Sequence, residues 1–369
     1  QQMRFLATAT VKKLHWRAAR AVITAAADLA RGPDGALSES ALGSYARLLP
    51  LDQMAASTPR NLREENRLAL SLEAFPRPAD DNGWGMHWIP TLQSSPDVVD
   101  RFVSELKKMG IKWTVFLNNG ANIGANDYLV RELGRNGIMP VMRIYTPGLV
   151  PIKGDLEALV RHYKELGVSY FQLYNEPNLE LENNGQEPDV NRYLDLWVPA
   201  AKRVLAAGGL PGLGALSPNG EFDDRRFLRE ALDALKRRGE DWVLNHGWLS
   251  MHNYAGSLPL ASPDGFLRFQ QYAQIVRDRL GRMIPIIGTE AGSYVTEELD
   301  EPRQVELVTD AYQYMQQQRE PYNFAYTYWT VANSEGGGRD EDFEWQALFR
   351  PGGWVSPLVK ALKQMAGRR

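Results

Sequence analysis

Residues 170–178, YFQLYNEPN, and residues 284–292, IPIIGTEAG, carry the reading of the whole chain. Each begins as a short run of β-branched or aromatic residues with almost no polar alternation, the signature of a strand buried on both faces. Each then reaches an acid, Glu176 in the first and Glu290 in the second. A carboxylate at the tip of so apolar a strand is unfavourable unless it is paired or put to use.

Six more runs of the same kind flank these two: GMHW from 85, WTVFLN from 113, PVMRIY from 140, GLGALS from 212, WLSMHNY from 248 and FAYTYWT from 324. Amphipathic helices are predicted between them. SSPDVVDRFVSELKKMG has Ser95 as N-cap, Pro96 at the first helical position and Gly110 as its stop. DLEALVRHYKELG and DDRRFLREALDALKRRG end alike, in Gly167 and Gly239, and SPLVKALKQMAG supplies the last helix. Eight strand–helix units over about 285 residues predict an α/β fold of the (β/α)8 TIM-barrel type. An open doubly wound sheet alternates in the same way, but no Gly-rich phosphate fingerprint follows the first strand. YFQLYN is then strand four and IPIIGTE strand seven, and the 114 residues from Glu176 to Glu290 make three units of about 38. The C-terminal ends of barrel strands gather at one mouth, so the two acids are expected to face one another there.

The barrel is predicted over residues 80–369, behind a helical N-terminal extension over 1–79. VKKLHWRAARAVITAAADLARGPDG reads as a helix ending in a turn, SESALGSYARLLP and LREENRLALSLEAF as two shorter helices, and PRPADDNG as a linker. Packing, rather than partner binding, is the expected role of the extension. NSEGGGRDEDFEW, after strand eight, reads as a mobile, solvated lid. Trp84 and Trp345 are expected in loops, where an exposed indole face suits stacking on a ligand ring. Trp113 and Trp248 fall at strand starts, the stability end of a barrel.

Composition narrows the function classes. With 44% hydrophobic and 24% charged residues among 369, the chain can build a packed core and is not of disordered type. A net charge of −3 without an extended basic patch gives no reason to expect nucleic acid or an anionic membrane as partner. No run approaches the roughly 18–20 apolar residues of a membrane span. The absence of cysteine removes disulfides, thiolate metal sites and a Cys nucleophile together. The opening QQMRFLATATVKKLHW lacks a clean apolar core and a small-residue cleavage site, so it does not read as a signal peptide. An extracytoplasmic location is still expected over a cytoplasmic one. No cofactor is expected, and oligomeric state is not legible.

Two carboxylates flanking a glycosidic bond at about 5–5.5 Å suit retention of anomeric configuration, and a gap of about 6.5–9.5 Å suits inversion. The sequence leaves that distance open. YNEPN on strand four together with IGTEAG on strand seven resembles the signatures of clan A of the glycoside hydrolases, with its cellulase-, mannanase- and xylosidase-like families. The resemblance covers roughly residues 84–366. It implies a retaining glycosidase cleaving a β-linked neutral oligosaccharide or polysaccharide by double displacement, with Glu176 as acid/base and Glu290 as nucleophile. It also implies that Asn175 holds the sugar 2-hydroxyl, a contact that strengthens in the transition state. The strand-six tip MHNY resembles the family's His-x-Tyr pair, so that His252 lines the site and Tyr254 donates to the nucleophile. Trp329 matches the sugar-stacking Trp, and Arg143 on strand three resembles the Arg that some of these families set beneath the nucleophile. His87 and Trp88, at the end of strand one, are candidates for the wall of a sugar subsite. Tyr145 and Tyr174 are candidates of the same kind, and Asn118-Asn119 ends strand two.

Two other classes compete. A metal-dependent barrel hydrolase or isomerase would use His87, His252, Glu176 and Glu290 as ligands. The chain has only five His, however, and no His-x-His on strand one. A catalytically weak carbohydrate-binding barrel is the other alternative; the intact acid pair argues against it, and turnover separates the two.

Overall fold

The structure, a computed structural model, describes residues 61–368 apart from 294, 318 and 334–345. The helices expected within 1–60, the lid at 334–345 and Trp345 lie outside the described residues. Contacts divide the chain into two units, residues 1–65 and 66–369. Of the first, the described part includes a single helical turn, Leu62–Glu65.

The second unit is a closed barrel of eight strands in chain order. They are β1 (Trp84–His87), β2 (Trp113–Asn119), β3 (Met139–Tyr145), β4 (Tyr170–Leu173), β5 (Leu210–Leu216), β6 (Trp248–Tyr254), β7 (Ile286–Gly292) and β8 (Asn323–Tyr328). Every neighbouring pair is parallel, and β8 closes on β1. A helix follows each strand: α1 (Pro96–Lys108), α2 (Asp127–Arg135), α3 (Leu156–Glu165), α4 (Val190–Ala206), α5 (Asp224–Arg237), α6 (Arg268–Leu280), α7 (Glu301–Gln317) and α8 (Pro357–Ala366). The predicted (β/α)8 fold is therefore the observed one.

The local signals act as their chemistry dictates. Side chains of Asp155, Asp189, Asp223 and Ser356 accept from backbone N–H groups in the first turns of α3, α4, α5 and α8, satisfying donors that the helix leaves open. Ser95 precedes α1 without a capping bond of this kind. Gly110 and Gly167 leave α1 and α3 at φ of 73° and 110°, conformations that side-chain-bearing residues resist.

The barrel interior is graded. Its base is an aromatic layer, with Trp113 against Tyr170 at 5.8 Å and Tyr170 edge-on to Trp248 at 5.7 Å. Phe324 and Phe75 join them, and both are buried. Trp113 and Trp248 thus sit at the stability end, as their positions predict. Each fully buried ring of this size contributes roughly 1.5–3 kcal/mol.

Two expectations are corrected. Trp84 lies in β1 rather than in a loop and is fully buried, its indole N–H donating to the Tyr312 carbonyl at 2.8 Å. LREENRLALSLEAF is not one helix: after the turn at Leu62–Glu65 comes a non-helical stretch and a 3-10 turn at Leu72–Ala74. Phe75 instead plugs the base of the barrel, with Leu70 and Leu72 partly buried against the same cluster and the Leu70 N–H donating to the Asn245 carbonyl, while Leu68 stays exposed. Burial of those side chains outweighs helix propensity. The linker-like 76–83 is strapped to the same end. Asp81 accepts from Trp113 Nε1 and pairs with Arg77 and Arg319, and Asn82 donates to the Gly110 carbonyl.

Candidate active site

Above the aromatic base the interior turns polar. Ser250 and Thr289 hydroxyls bond at 2.8 Å, and at the C-terminal ends of the strands the two acids meet.

Glu176 follows β4 in a backbone bent by force. Tyr174 and Glu176 have φ of 65° and 35°, in the left-handed region that non-glycine residues avoid. The Glu176 N–H is pinned to the Ala215 carbonyl at 2.9 Å, and Ala215 itself, at a register irregularity in β5, has a φ of 63°. Strain of about 1–3 kcal/mol per such residue persists only where the surroundings impose it, and it gathers at functional sites. Glu290 is set by a second irregularity. Along the β6–β7 pairing, Met251 lies beside Gly288 but His252 lies beside Glu290, so one extra residue of β7 is absorbed there. Bulges of this kind re-aim side chains beside active sites. His252 and Tyr254, two apart on β6, share a face.

The result is one buried cluster. His252 Nδ1 lies 2.7 Å from Glu176 Oε1 and 3.5 Å from Glu290 Oε2. Because both contacts share one nitrogen, these two oxygens can be no farther apart than the summed distances, 6.2 Å. Tyr254 donates its hydroxyl to Glu290 Oε2 at 2.8 Å, and Arg143 Nη1 donates to Glu290 Oε1 at 2.6 Å. Burial pushes the Glu290 carboxyl above its ordinary range. The charges of His252 and Arg143 and the Tyr254 hydrogen bond pull it back, while Glu176 adds to the rise.

Asn175 donates from Nδ2 to Glu182 Oε1 at 2.9 Å, and its Oδ1 is buried without a hydrogen-bond partner among the described residues. Trp329 follows β8, with a cis peptide bond to Thr330, and its ring lies 4.2 Å from that of His87. His87 is fully buried. Burial, together with the positive charges of Arg143 and His252, lowers its pKa to about 3 against a carbonyl contact that raises it.

The structure thus gathers Glu176, Glu290, His252, Tyr254 and Arg143 by direct contact, with Asn175 beside Glu176 in the chain and His87 and Trp329 paired ring to ring. It does not bring Trp88 to them. That indole packs edge-on to Phe102 of α1, and its Nε1 donates to Ser94. Tyr174 packs likewise on Tyr193 of α4, and Asn118 spends its amide within its own loop, on Gly120, Asn122 and Asn126. Glu182, which orients Asn175, was not singled out in the sequence. It lies seven residues on in an irregular loop, and no periodic signal reaches it. Among the described residues no three His, Cys, Asp or Glu side chains are grouped to hold a metal ion, and no helix is long and apolar enough to cross a membrane.

No family model matches the sequence, and no curated protein matches it significantly. Solved structures do. An endo-β-1,3-glucanase of family 128 from Pseudomonas viridiflava superposes with a TM-score of 0.52 at 18% identity, over 77% of this chain and 97% of its own. A family 51 α-L-arabinofuranosidase from Bifidobacterium longum gives 0.54 at 10% identity, over 81% and 76%. A β-glucuronidase from Bacteroides uniformis gives 0.51 at 12%, over 76% of this chain but only 35% of its own. At these identities the likeness is one of fold: the chain shares the (β/α)8 barrel on which these glycoside hydrolases are built.

Proposed function

We propose that this protein is a retaining glycoside hydrolase acting on a β-linked neutral saccharide. One observation carries the reading. The facing oxygens of two buried carboxylates, on strands four and seven of a barrel, lie within 6.2 Å of each other across one imidazole nitrogen. That bound accommodates the carboxyl separation of about 5–5.5 Å at which the second acid acts as nucleophile. The glycosidic-bond chemistry of the solved barrels that share this fold, whose substrates differ among themselves, supports the reaction class.

The chemistry then runs as follows. A carboxylate oxygen of Glu290 attacks the anomeric carbon while the bond to the leaving oxygen breaks, and Glu176 passes its proton to that oxygen. Glu176, now a carboxylate, takes a proton from water. The water oxygen attacks the same carbon and Glu290 departs, so two inversions give retention. Arg143 and Tyr254 oppose the rise that burial imposes on Glu290 and keep a nucleophilic carboxylate accessible. Glu182 turns the Asn175 amide, whose buried Oδ1 suits the sugar 2-hydroxyl. Trp329 and His87, packed ring to ring, supply a wall of the sugar site. Among the described residues the one guanidinium that reaches the pair is engaged by Glu290, so an anionic sugar would meet mainly carboxylates there.

A panel of aryl β-glycosides tests the proposal. Glu176→Ala and Glu290→Ala should each abolish turnover, with azide rescuing only one of them, and the first-formed product should keep its anomeric configuration by NMR. Undiminished hydrolysis in either variant, or an inverted product, would overturn it.

A further inference from the structure

His87 holds a hydrogen-bonding capacity that the mechanism leaves unused. Its Nδ1 lies 2.7 Å from the Trp88 carbonyl oxygen. A carbonyl can only accept, so Nδ1 carries the proton, and in the neutral ring Nε2 is left as a bare lone pair. The ring is kept neutral by burial and by the cations beside it, Arg143 and His252. Nε2 is buried and has no hydrogen-bond partner among the described residues. The ring cannot readily turn to find one. The His87 carbonyl accepts from Thr330 Oγ1 at 3.1 Å and from the Val331 N–H at 3.0 Å, which fixes the end of β1, and the imidazole rests against Trp329. A buried acceptor left unmatched is unfavourable, and native structures hold few of them without a use.

Building on the hydrolase reading, we propose that His87 is the specificity-determining acceptor of this site: its Nε2 receives the O–H of one ring hydroxyl, other than the 2-hydroxyl, of the sugar that sits against Trp329. Hydroxyls are the donors that every neutral saccharide presents. β1 and β4 stand three strands apart around the barrel, so Asn175 and His87 address different edges of the same ring. The rule that follows is one of hydrogen-bond polarity. At the position that His87 reads, the substrate must donate, and a group that can only accept is as poor as no group at all.

Fluorine makes the rule testable, because a deoxyfluoro sugar keeps the size and acceptor character of the hydroxyl but loses its proton. With the aryl glycoside that the wild-type protein cleaves best, 3-, 4- and 6-deoxy and deoxyfluoro analogues are compared by kcat/KM. At one position both analogues should fall by roughly ten- to hundredfold, and to the same extent. In His87→Phe the parent glycoside should drop to that level, and the analogues should lose nothing more. A fluoro analogue that keeps its activity where the deoxy analogue loses it, or a loss that persists unchanged in His87→Phe, overturns the proposal. The analogue series on the wild-type protein decides the matter even where His87→Phe fails to fold. Histidine-selective ¹⁵N spectra of the full chain, with His87→Gln to assign the resonance, should report a neutral, Nδ1-protonated ring across neutral and weakly acidic pH. A proton on Nε2 refutes the mechanism whatever the kinetics. A chain that cleaves no glycoside refutes the hydrolase reading instead. The same analogue series then reads His87 as dissociation constants, and equal affinity for parent and analogues at every position overturns it.

Discussion

Replacing Arg143 with Met removes the closest cation from Glu290 while keeping most of the side-chain volume. Arg143 and Glu290 are 5% and 1% exposed and lie 2.6 Å apart, so their interaction is little screened by solvent. Breaking such a pair from one side strands a buried charge, at a cost of about 3–5 kcal/mol. For a barrel of about 300 residues the unfolding entropy is roughly 0.6 kcal/mol per degree, so the melting temperature should fall by about 5–8 °C at neutral pH. The sign with pH follows from Glu290. Burial already holds its folded-state affinity for a proton above that of the unfolded chain, and loss of Arg143 raises it further. A carboxyl raised in this way destabilises the fold as pH climbs from the unfolded value through the folded one, and costs nothing extra below both. The gap between wild type and Arg143→Met should therefore be widest at neutral pH and narrow towards the ordinary carboxylate range. Thermal melts followed by circular dichroism at a series of pH values measure it. Equal melting temperatures at neutral pH, or a gap that ignores pH, would refute the account of Glu290 as a buried carboxylate held by Arg143.

Three further outcomes are expected. Tyr254→Phe deletes one hydrogen bond to a carboxylate, about 1.5–3 kcal/mol, and should lower kcat/KM roughly ten- to hundredfold and the melting temperature by about 2–5 °C. Glu182→Ala frees the Asn175 amide, and should lower kcat/KM by up to about tenfold and blunt the discrimination against a 2-deoxy substrate; steady-state kinetics with both substrates will tell. Phe75→Ala unplugs the barrel base and should destabilise by about 3–5 kcal/mol in denaturant titrations while leaving KM unchanged.

What could be read in advance followed from periodicity and from punctuation. Apolar runs alternating with capped, Gly-terminated helices announced the barrel, because each signal is local and repeats eight times. YNEPN and IGTEAG located both acids, since an acid ending a buried strand stands out against its neighbours. Which way a side chain faces is one thing that local pattern leaves open. His87 and Trp88 look equivalent in the sequence, yet successive residues at a strand end point to opposite sides. His87 turns inward beside Trp329, and Trp88 turns out onto Phe102. Trp84 is expected in a loop for another reason: an indole among Asn and Gly residues looks exposed. LREENRLALSLEAF has enough leucine and glutamate for a helix, and only the apolar base of the barrel explains why it is pulled open. Glu182 and the register step that aligns Glu290 with His252 depend on pairing between distant segments, which leaves no mark on either segment alone.

The barrel's graded interior has a consequence for how such a chain can change over generations. Trp113, Tyr170, Trp248, Phe324 and the plugging Phe75 occupy one end, while the strand ends and turns that hold the acids occupy the other. A substitution or insertion in the loops at the mouth leaves this aromatic foundation undisturbed, so new substrate preferences can be tried without renegotiating the fold. The foundation itself is far less negotiable, because its rings interlock and each would leave a void that its neighbours cannot fill. Laboratory libraries drawn for altered specificity should accordingly be confined to the upper storey, with the floor left as inherited.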